Sequence, residues 1–148
     1  WWDEMAIVRF PDGTEITASA VSCRREDDPQ REYGLYMDPS WKPTWSAELI
    51  DWPDYGLPAH PLRAAEQIID AFDRAKSGQR VEIGCIGGKG RTGTVLACMA
   101  VLAGVRSGDA VAWVRAHYHP EAVETDAQAA WVEWFASTVD ERGLLRSP

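Results

Sequence analysis

The sequence predicts an α/β protein, a mixed sheet covered by helices within a single domain. Three observations carry this reading. The 148 residues fit one domain better than two. Short β-prone runs fill the early part of the chain, and helical patterns alternate with a further strand later. No repeat, low-complexity tract or linker divides the sequence. A chain of this size buries roughly 70% of the surface that its unfolded form exposes, so it needs no disulfide or metal staple.

The elements follow in order. Ile7-Val8-Arg9-Phe10 and Thr14-Glu15-Ile16-Thr17 flank Pro11-Asp12-Gly13, two β-prone runs about a Gly-containing turn, which predicts a hairpin. Residues 24–31 are charged and turn-like, with Arg24-Arg25 a solvated turn, and residues 33–37 form a further strand. Residues 41–45 are a Pro-interrupted, Trp-rich loop, and Ala47-Glu48-Leu49-Ile50-Asp51 is a strand running into Trp52-Pro53-Asp54-Tyr55-Gly56-Leu57-Pro58, whose three breakers make it a loop. Leu62, Ala65, Ile68-Ile69 and Phe72 recur at helical spacing, so residues 62–76 form a helix that ends at Ser77-Gly78. Arg80-Val81-Glu82-Ile83 is a strand, residues 84–93 a Gly-rich turn, and the almost wholly apolar residues 94–103 a helix at the centre of the domain. Ser107 caps a helix to about Tyr118, and Thr125 or Asp126 caps another through Trp131, Trp134 and Phe135. The tail from Arg142 is frayed.

Charge excludes whole classes of partner. Fifteen Lys+Arg against 23 Asp+Glu give 15 − 23 = −8. There is no basic footprint to displace counterions from nucleic acid, and an anionic membrane surface would repel the chain. No apolar run approaches the length of a membrane span. Trp1-Trp2-Asp3-Glu4 lacks the pattern of a signal peptide and is not a natural start. The three cysteines (Cys23, Cys85, Cys98) leave one over in any pairing, which points to a reduced, cytoplasmic setting and to a lone reactive thiol.

The stretch from Glu82 to Gly93 lies between a β-run and a buried helix. A strand, Gly-rich turn and helix make a natural anion site, because backbone N–H groups converge in the turn above the positive helix end. The spacing is not Walker A. The residue five before Gly88 is Ile83, and Lys89 is followed by Gly90. The spacing that does fit is Cys-x5-Arg, Cys85 to Arg91. Loop amides at Ile86, Gly87, Gly88, Lys89 and Gly90, with the helix end, favour the thiolate of Cys85, the form that attacks. Arg91 can hold two phosphate oxygens through forked hydrogen bonds. Thr92 can donate its hydroxyl to the sulfur and help it leave in a second step. The competing reading makes Cys85 a small core residue in an ordinary turn. Transfer through phosphocysteine needs an acid for the leaving oxygen, and Asp54 is the candidate, stiffened by Trp52 and Pro53, with Gly56 as a hinge.

Trp52-Pro53-Asp54 followed by Cys85-x5-Arg91-Thr92-Gly93 resembles the cysteine-based protein tyrosine phosphatases, with their Trp-Pro-Asp acid loop and His-Cys-x5-Arg-Ser/Thr phosphate loop. Glu124-Thr125-Asp126-Ala127-Gln128 resembles their glutamine loop. The resemblance covers Trp52 to about Phe135. It implies a protein tyrosine phosphatase-like fold over residues 1–148, with a central mixed, mostly parallel sheet flanked by helices, and a phosphotyrosine protein or peptide as substrate. It also implies a reaction without metal or cofactor. Cys85 attacks phosphorus while Arg91 and the loop amides hold the oxygens. Asp54 protonates the phenol, and Gln128 then orients a water that Asp54 deprotonates. Two positions depart from the pattern or bear on specificity. Gly84 stands where the family has a His that organises the loop. Lys89, inside the loop, resembles the lysine of phosphatases that accept inositol phosphates, or is a solvated rim residue.

Other candidates have a bland and a sharp reading. The Trp41–Trp45 segment with Tyr33 and Tyr36 is core, or walls a slot for a phosphophenyl ring. His60, His117 and His119 have no metal-ligand spacing. Cys98 is packing, and Cys23 could pair with Cys85. The function expected is phosphotyrosine hydrolysis. The alternatives are a dual-specificity or phosphoinositide phosphatase, kept open by the short chain and Lys89, and a non-catalytic phosphotyrosine-binding module, against which Cys85, Arg91 and Asp54 all being present counts.

Overall fold

Among the described residues, five strands form one mixed sheet: β1 (Met5–Arg9), β2 (Glu15–Ala20), β3 (Tyr33–Tyr36), β4 (Ala47–Leu49) and β5 (Val81–Cys85). The described residues also form four helices: α1 (Pro61–Lys76), α2 (Gly90–Leu102), α3 (Ser107–His117) and α4 (Asp126–Glu141). The structure is a computed structural model, and it describes residues 5–20, 32–37, 45–53, 56–85 and 90–141. The strand order is β1-β2-β5-β3-β4. Among the described strand pairs, only the β1–β2 hairpin is antiparallel. β5 runs parallel to β2 on one side and to β3 on the other. The fold is the expected one, a mostly parallel α/β sheet with helices packed on it.

The period-2 pattern sorts the sheet's two faces. Val8, Ile16, Ala18, Leu35, Ile83 and Cys85 are buried, whereas Ile7 is 69% exposed. Phe10, just past β1, meets Phe72 of α1 edge-on at 5.6 Å and stacks on Trp113 of α3 at 5.2 Å. Thr92 of α2 reaches Cys85. The helices therefore cover the Val8–Cys85 face. On the opposite face the Tyr36 ring lies across Gly34, donates its O–H to buried Glu82 and accepts the Trp45 N–H at 2.9 Å. Helix α2 is buried from Gly90 to Val101 and packs on α1, α3, α4 and β5, as its apolar sequence requires.

Four local expectations are corrected. Residues 84–93 are not a turn throughout. Gly84 and Cys85 belong to β5 because Ser19 and Ala20 pair with them and Gly84 O accepts the Met37 N–H at 2.9 Å, so pairing on both sides overrides the turn tendency of glycine. At the other end, Gly90 to Gly93 are already helical, and Thr94 Oγ1 donates to Gly90 O at 2.7 Å. Ser107 does not cap α3. The extended residue is Arg106 (φ −61°, ψ 143°), whose carbonyl accepts the Asp109 N–H. Leu62 is 45% exposed, because the buried stripe of α1 runs through Ala64, Ala65, Ile68, Ala71, Phe72 and Ala75. The strand expected over residues 47–51 is confined to β4. The charged segment 24–31 and the tail from Arg142 lie outside the described residues.

The connection between α3 and α4 presses against the first turns of α2. A Cβ on Gly93 would sit 2.6 Å from the Ala122 Cβ and 3.0 Å from the Val123 nitrogen, and one on Gly90 would meet the Glu124 carboxylate. Val123 has φ 63°, a rare conformation for a β-branched residue. Arg115 holds it there, donating from Nε to Ala122 O and from Nη2 to Val123 O, each at 2.8 Å. Gly93→Ala should therefore destabilise the fold by roughly 1–3 kcal/mol, the cost of overpacking against atoms that cannot retreat. A urea midpoint equal to that of the wild type would contradict this.

Candidate active site

Cys85 is the last residue of β5, at the carboxyl edge of the sheet between two parallel neighbours, where open α/β sheets form their binding crevice. It is 1% exposed. Thr92, on the first turn of α2, donates Oγ1–H to its sulfur at 3.1 Å. The sulfur thus lies at the positive end of α2, whose first N–H groups have no partner within the helix. Of the phosphate-loop residues predicted from sequence, Ile86, Gly87, Gly88 and Lys89 lie outside the described residues, and Gly90 opens α2.

Arg91 is buried at 5% exposure. Its Nη1 donates to the Met37 carbonyl at 2.9 Å and to the Trp52 carbonyl at 2.8 Å. One guanidinium nitrogen therefore ties α2 to the end of β3 and to the expected acid loop. This fixes the plane of the fork, and the Nε–Nη2 edge is the one that matches two oxyanion oxygens.

The acid loop is braced on both flanks of Asp54, which itself lies outside the described residues together with Tyr55. Trp52 is fully buried and packs on Trp131 of α4 at 5.4 Å between ring centroids. Its Nε1 donates to Gly56 O at 2.8 Å, and the Gly56 N–H donates to Pro53 O at 2.9 Å. Gln128 Nε2 donates to the same Gly56 oxygen at 3.3 Å.

Gln128 also closes the N-terminus of α4. Thr125 Oγ1 accepts the Gln128 N–H at 3.0 Å, while Gln128 Oε1 accepts the N–H groups of Glu124 (2.8 Å) and Thr125 (3.3 Å). This is a capping box, and it selects Thr125 as the cap of α4. Five of the sequence-predicted elements therefore converge: Cys85, Arg91, Thr92, Gln128 and the flanks of Asp54.

The sequence assigns no role of their own to two residues near the site. The exposed Glu124 carboxylate lies against Gly90. Tyr118 is half-buried, and burial, with Cys85 nearby, pushes its phenol well above the ordinary range, so it stays protonated. The available signal was the pair Gly90 and Gly93 at i, i+3, one face of a helix stripped of side chains for a close neighbour.

The remaining candidates resolve as follows. Tyr33 and Tyr36 are buried, at 3% and 0% exposure. The Arg74 guanidinium covers the Tyr33 ring at 4.1 Å, so these two tyrosines are core and do not wall a slot. Trp41 and Cys23 lie outside the described residues. His119 accepts the Glu121 N–H on Nδ1, His117 stacks on Trp113, and His60 precedes α1 without capping it through its side chain. Among the described residues no group of three or more His, Cys, Asp or Glu could hold a metal ion, and no helix is long and apolar enough to cross a membrane. A groove of about 780 Å³ lined by Asp12, Lys76, Arg80 and Val81 lies at the opposite end of β5 from Cys85.

Cys98 is fully buried in α2, and desolvation pushes its thiol well up. In the folded chain at neutral pH, alkylation of Cys98 by iodoacetamide should be more than about tenfold slower than in the urea-unfolded chain. Equal labelling rates of the Cys98 peptide by mass spectrometry would contradict that burial.

Known proteins resemble this chain in sequence and in fold. Residues 54–136 match the family model described as PTP-SAK, the DSP-PTPase phosphatase domain of Swiss Army Knife proteins. The uncharacterized proteins MJECL20 and MJ0215 of Methanocaldococcus jannaschii are 36% and 35% identical over 110 residues, or 66% of this chain and 71% and 66% of theirs. Tk-PTP in its active form superposes with a TM-score of 0.73 at 21% identity, covering 93% of this chain and 99% of that one. A kinase associated phosphatase with its catalytic cysteine replaced by serine gives 0.74 at 14% identity, over 95% and 98% of the two chains. PTPMT1 in complex with PI(5)P gives 0.72 at 14% identity, over 95% and 99%. These structural likenesses concern the fold. With more than half of its residues matched by the family model, the chain belongs to the PTP-SAK family of dual-specificity-type phosphatase domains, within the cysteine-based protein tyrosine phosphatase superfamily.

Proposed function

We propose that this phosphatase domain hydrolyses phosphotyrosine monoesters of proteins or peptides through a phosphocysteine intermediate, in a cytoplasmic setting. The observation that carries the reading is the meeting of Thr92 Oγ1 with Cys85 Sγ at 3.1 Å beside an Arg91 whose guanidinium is pinned to Trp52 O. Nucleophile, anion-holding fork and acid loop are thereby joined through one helical turn. In the first step an S–P bond forms at Cys85 and the P–O bond to the phenol breaks. The proton on Asp54 passes to the departing oxygen. Arg91 and the loop amides hold the non-bridging oxygens, whose charge is stabilised most in the transition state. In the second step a water oxygen attacks phosphorus, its proton passes to the Asp54 carboxylate, and the S–P bond breaks to release phosphate. Thr92 stabilises the leaving sulfur by its hydrogen bond.

Phosphotyrosine is the substrate favoured by the Trp-Pro-Asp segment. A second reading, a dual-specificity or phosphoinositide phosphatase, draws on the dual-specificity type of the family model and on the likeness to PTPMT1 bound to PI(5)P. Lys89 would supply the extra positive charge there. A panel of phosphotyrosine, phosphoserine and inositol phosphate substrates separates the two. Higher kcat/KM on phosphotyrosine peptide supports the first reading, and preference for an inositol phosphate replaces it with the second.

Cys85→Ser should abolish turnover of p-nitrophenyl phosphate, and wild-type turnover no higher than background would leave a binding module instead. Asp54→Ala should lower kcat by roughly 10²–10³-fold while phosphopeptide binding persists. Thr92→Val should lower kcat about tenfold, the loss of one hydrogen bond to a charged group, with a smaller fall in kcat/KM. A rapid burst of phenol release before the slow steady state would reveal the second step as the impaired one.

A further inference from the structure

The turn that carries Arg91 and Thr92 is built from poor helix formers. Gly90 and Gly93 are two of the first four residues of α2, and glycine loses more backbone freedom in a helix than any other residue. Close neighbours oppose stiffening by a side chain at either position. A Cβ on Gly93 would sit 2.6 Å from the Ala122 Cβ, and one on Gly90 would displace the Glu124 carboxylate. The rigidity that an oxyanion site requires must therefore come from another residue.

Thr94 supplies a bond at that place. Its Oγ1–H donates to Gly90 O at 2.7 Å, the same carbonyl that the helical N–H of Thr94 reaches. The two ends of this bond bracket Arg91, Thr92 and Gly93. A hydroxyl bonded back to the carbonyl four residues earlier bends a helix locally, so it sets the path of that turn. Thr94 is fully buried and Gly90 is buried with it, which keeps water from competing for the bond.

We propose that Thr94 is a positioning residue for the phosphatase reaction. Its hydroxyl fastens the first turn of α2 to the second. It thereby fixes the backbone from which Arg91 presents its guanidinium and Thr92 reaches the Cys85 sulfur at 3.1 Å. The Nη1 bonds to Met37 O and Trp52 O hold the far end of Arg91, and Thr94 holds the near end. The proposal rests on the proposed reading of this site, in which Cys85 and Arg91 act on a phosphate monoester.

Thr94→Val replaces the hydroxyl with a methyl group and leaves Gly90 O its helical N–H. It should lower kcat/KM for p-nitrophenyl phosphate roughly tenfold, since a small displacement of the fork suffices for such a loss. It should raise the inhibition constant of orthovanadate, an oxyanion probe of the same fork, about fivefold. Thr94→Ser keeps the hydroxyl and loses the methyl group, and both values should stay within about twofold of the wild type. Each variant should melt at a lower temperature, one for a lost hydrogen bond and the other for a lost methyl contact. Stability therefore treats the two alike, and activity measured well below both melting transitions separates them. Should Thr94→Val fail to fold, Thr94→Ala is compared with Thr94→Ser, a pair that differs by one oxygen. A kcat/KM in Thr94→Val equal to that of the wild type would overturn the proposal and leave the phosphatase reading intact, as would an equal loss in the variants with and without the hydroxyl. A wild-type chain that does not turn over p-nitrophenyl phosphate would overturn that reading and the proposal with it.

Discussion

A buried guanidinium holds three distant segments at one point. Arg91 reaches the carbonyl of Met37 at the end of β3 and that of Trp52 in the acid loop, from the first turn of α2. Taking a charge out of water is costly unless its donors are satisfied, so the fold that buries Arg91 must also bring those carbonyls to it. Both of these carbonyls are neutral, and they fix the plane of the fork. The acidic balance of −8 does not exclude an anion there, because positive potential is concentrated where Arg91 and the α2 N-terminus meet.

Much of this was legible in the sequence, for identifiable reasons. The hairpin about Pro11-Asp12-Gly13 and the stripe of α1 follow local patterns that tertiary packing reinforces. The spacing of Cys85 and Arg91 spans a strand end and a helix start, so it survives folding unchanged. What the sequence concealed was set by neighbours distant in the chain. Gly84 reads as turn, yet Ser19 and Met37 hold it in the sheet from both sides. Ser107 has the chemistry of a cap, but the extended backbone falls one residue earlier. Tyr33 and Tyr36 read equally as slot or core until Arg74 and Glu82 are seen to hold them. Thr125-x-x-Gln128 spells a capping box, and only the placement of Gly56 reveals that the same glutamine reaches the acid loop.

The site therefore gains its order from packing beneath it. Trp52 against Trp131, Gln128 on Gly56 and the tight seat of residues 122–124 on Gly90 and Gly93 make the acid loop, the α4 terminus and the phosphate loop's helical end parts of one block. Such preorganisation is what phosphoryl transfer asks of a protein, since the loose transition state leaves positioning and electrostatics as the main sources of catalysis. The strained Val123, held by Arg115, lies in that block.

The central claim is that phosphorus passes through the sulfur of Cys85 within this block. Acid-quenching the wild-type chain during turnover of p-nitrophenyl phosphate, followed by mass spectrometry of the peptide containing Cys85, tests it directly. The account predicts one phosphoryl group on that cysteine, most abundant in Thr92→Val and missing in Arg91→Ala. Turnover at the wild-type rate with no phosphorylated Cys85 under quench, in the wild type and in Thr92→Val alike, would contradict it.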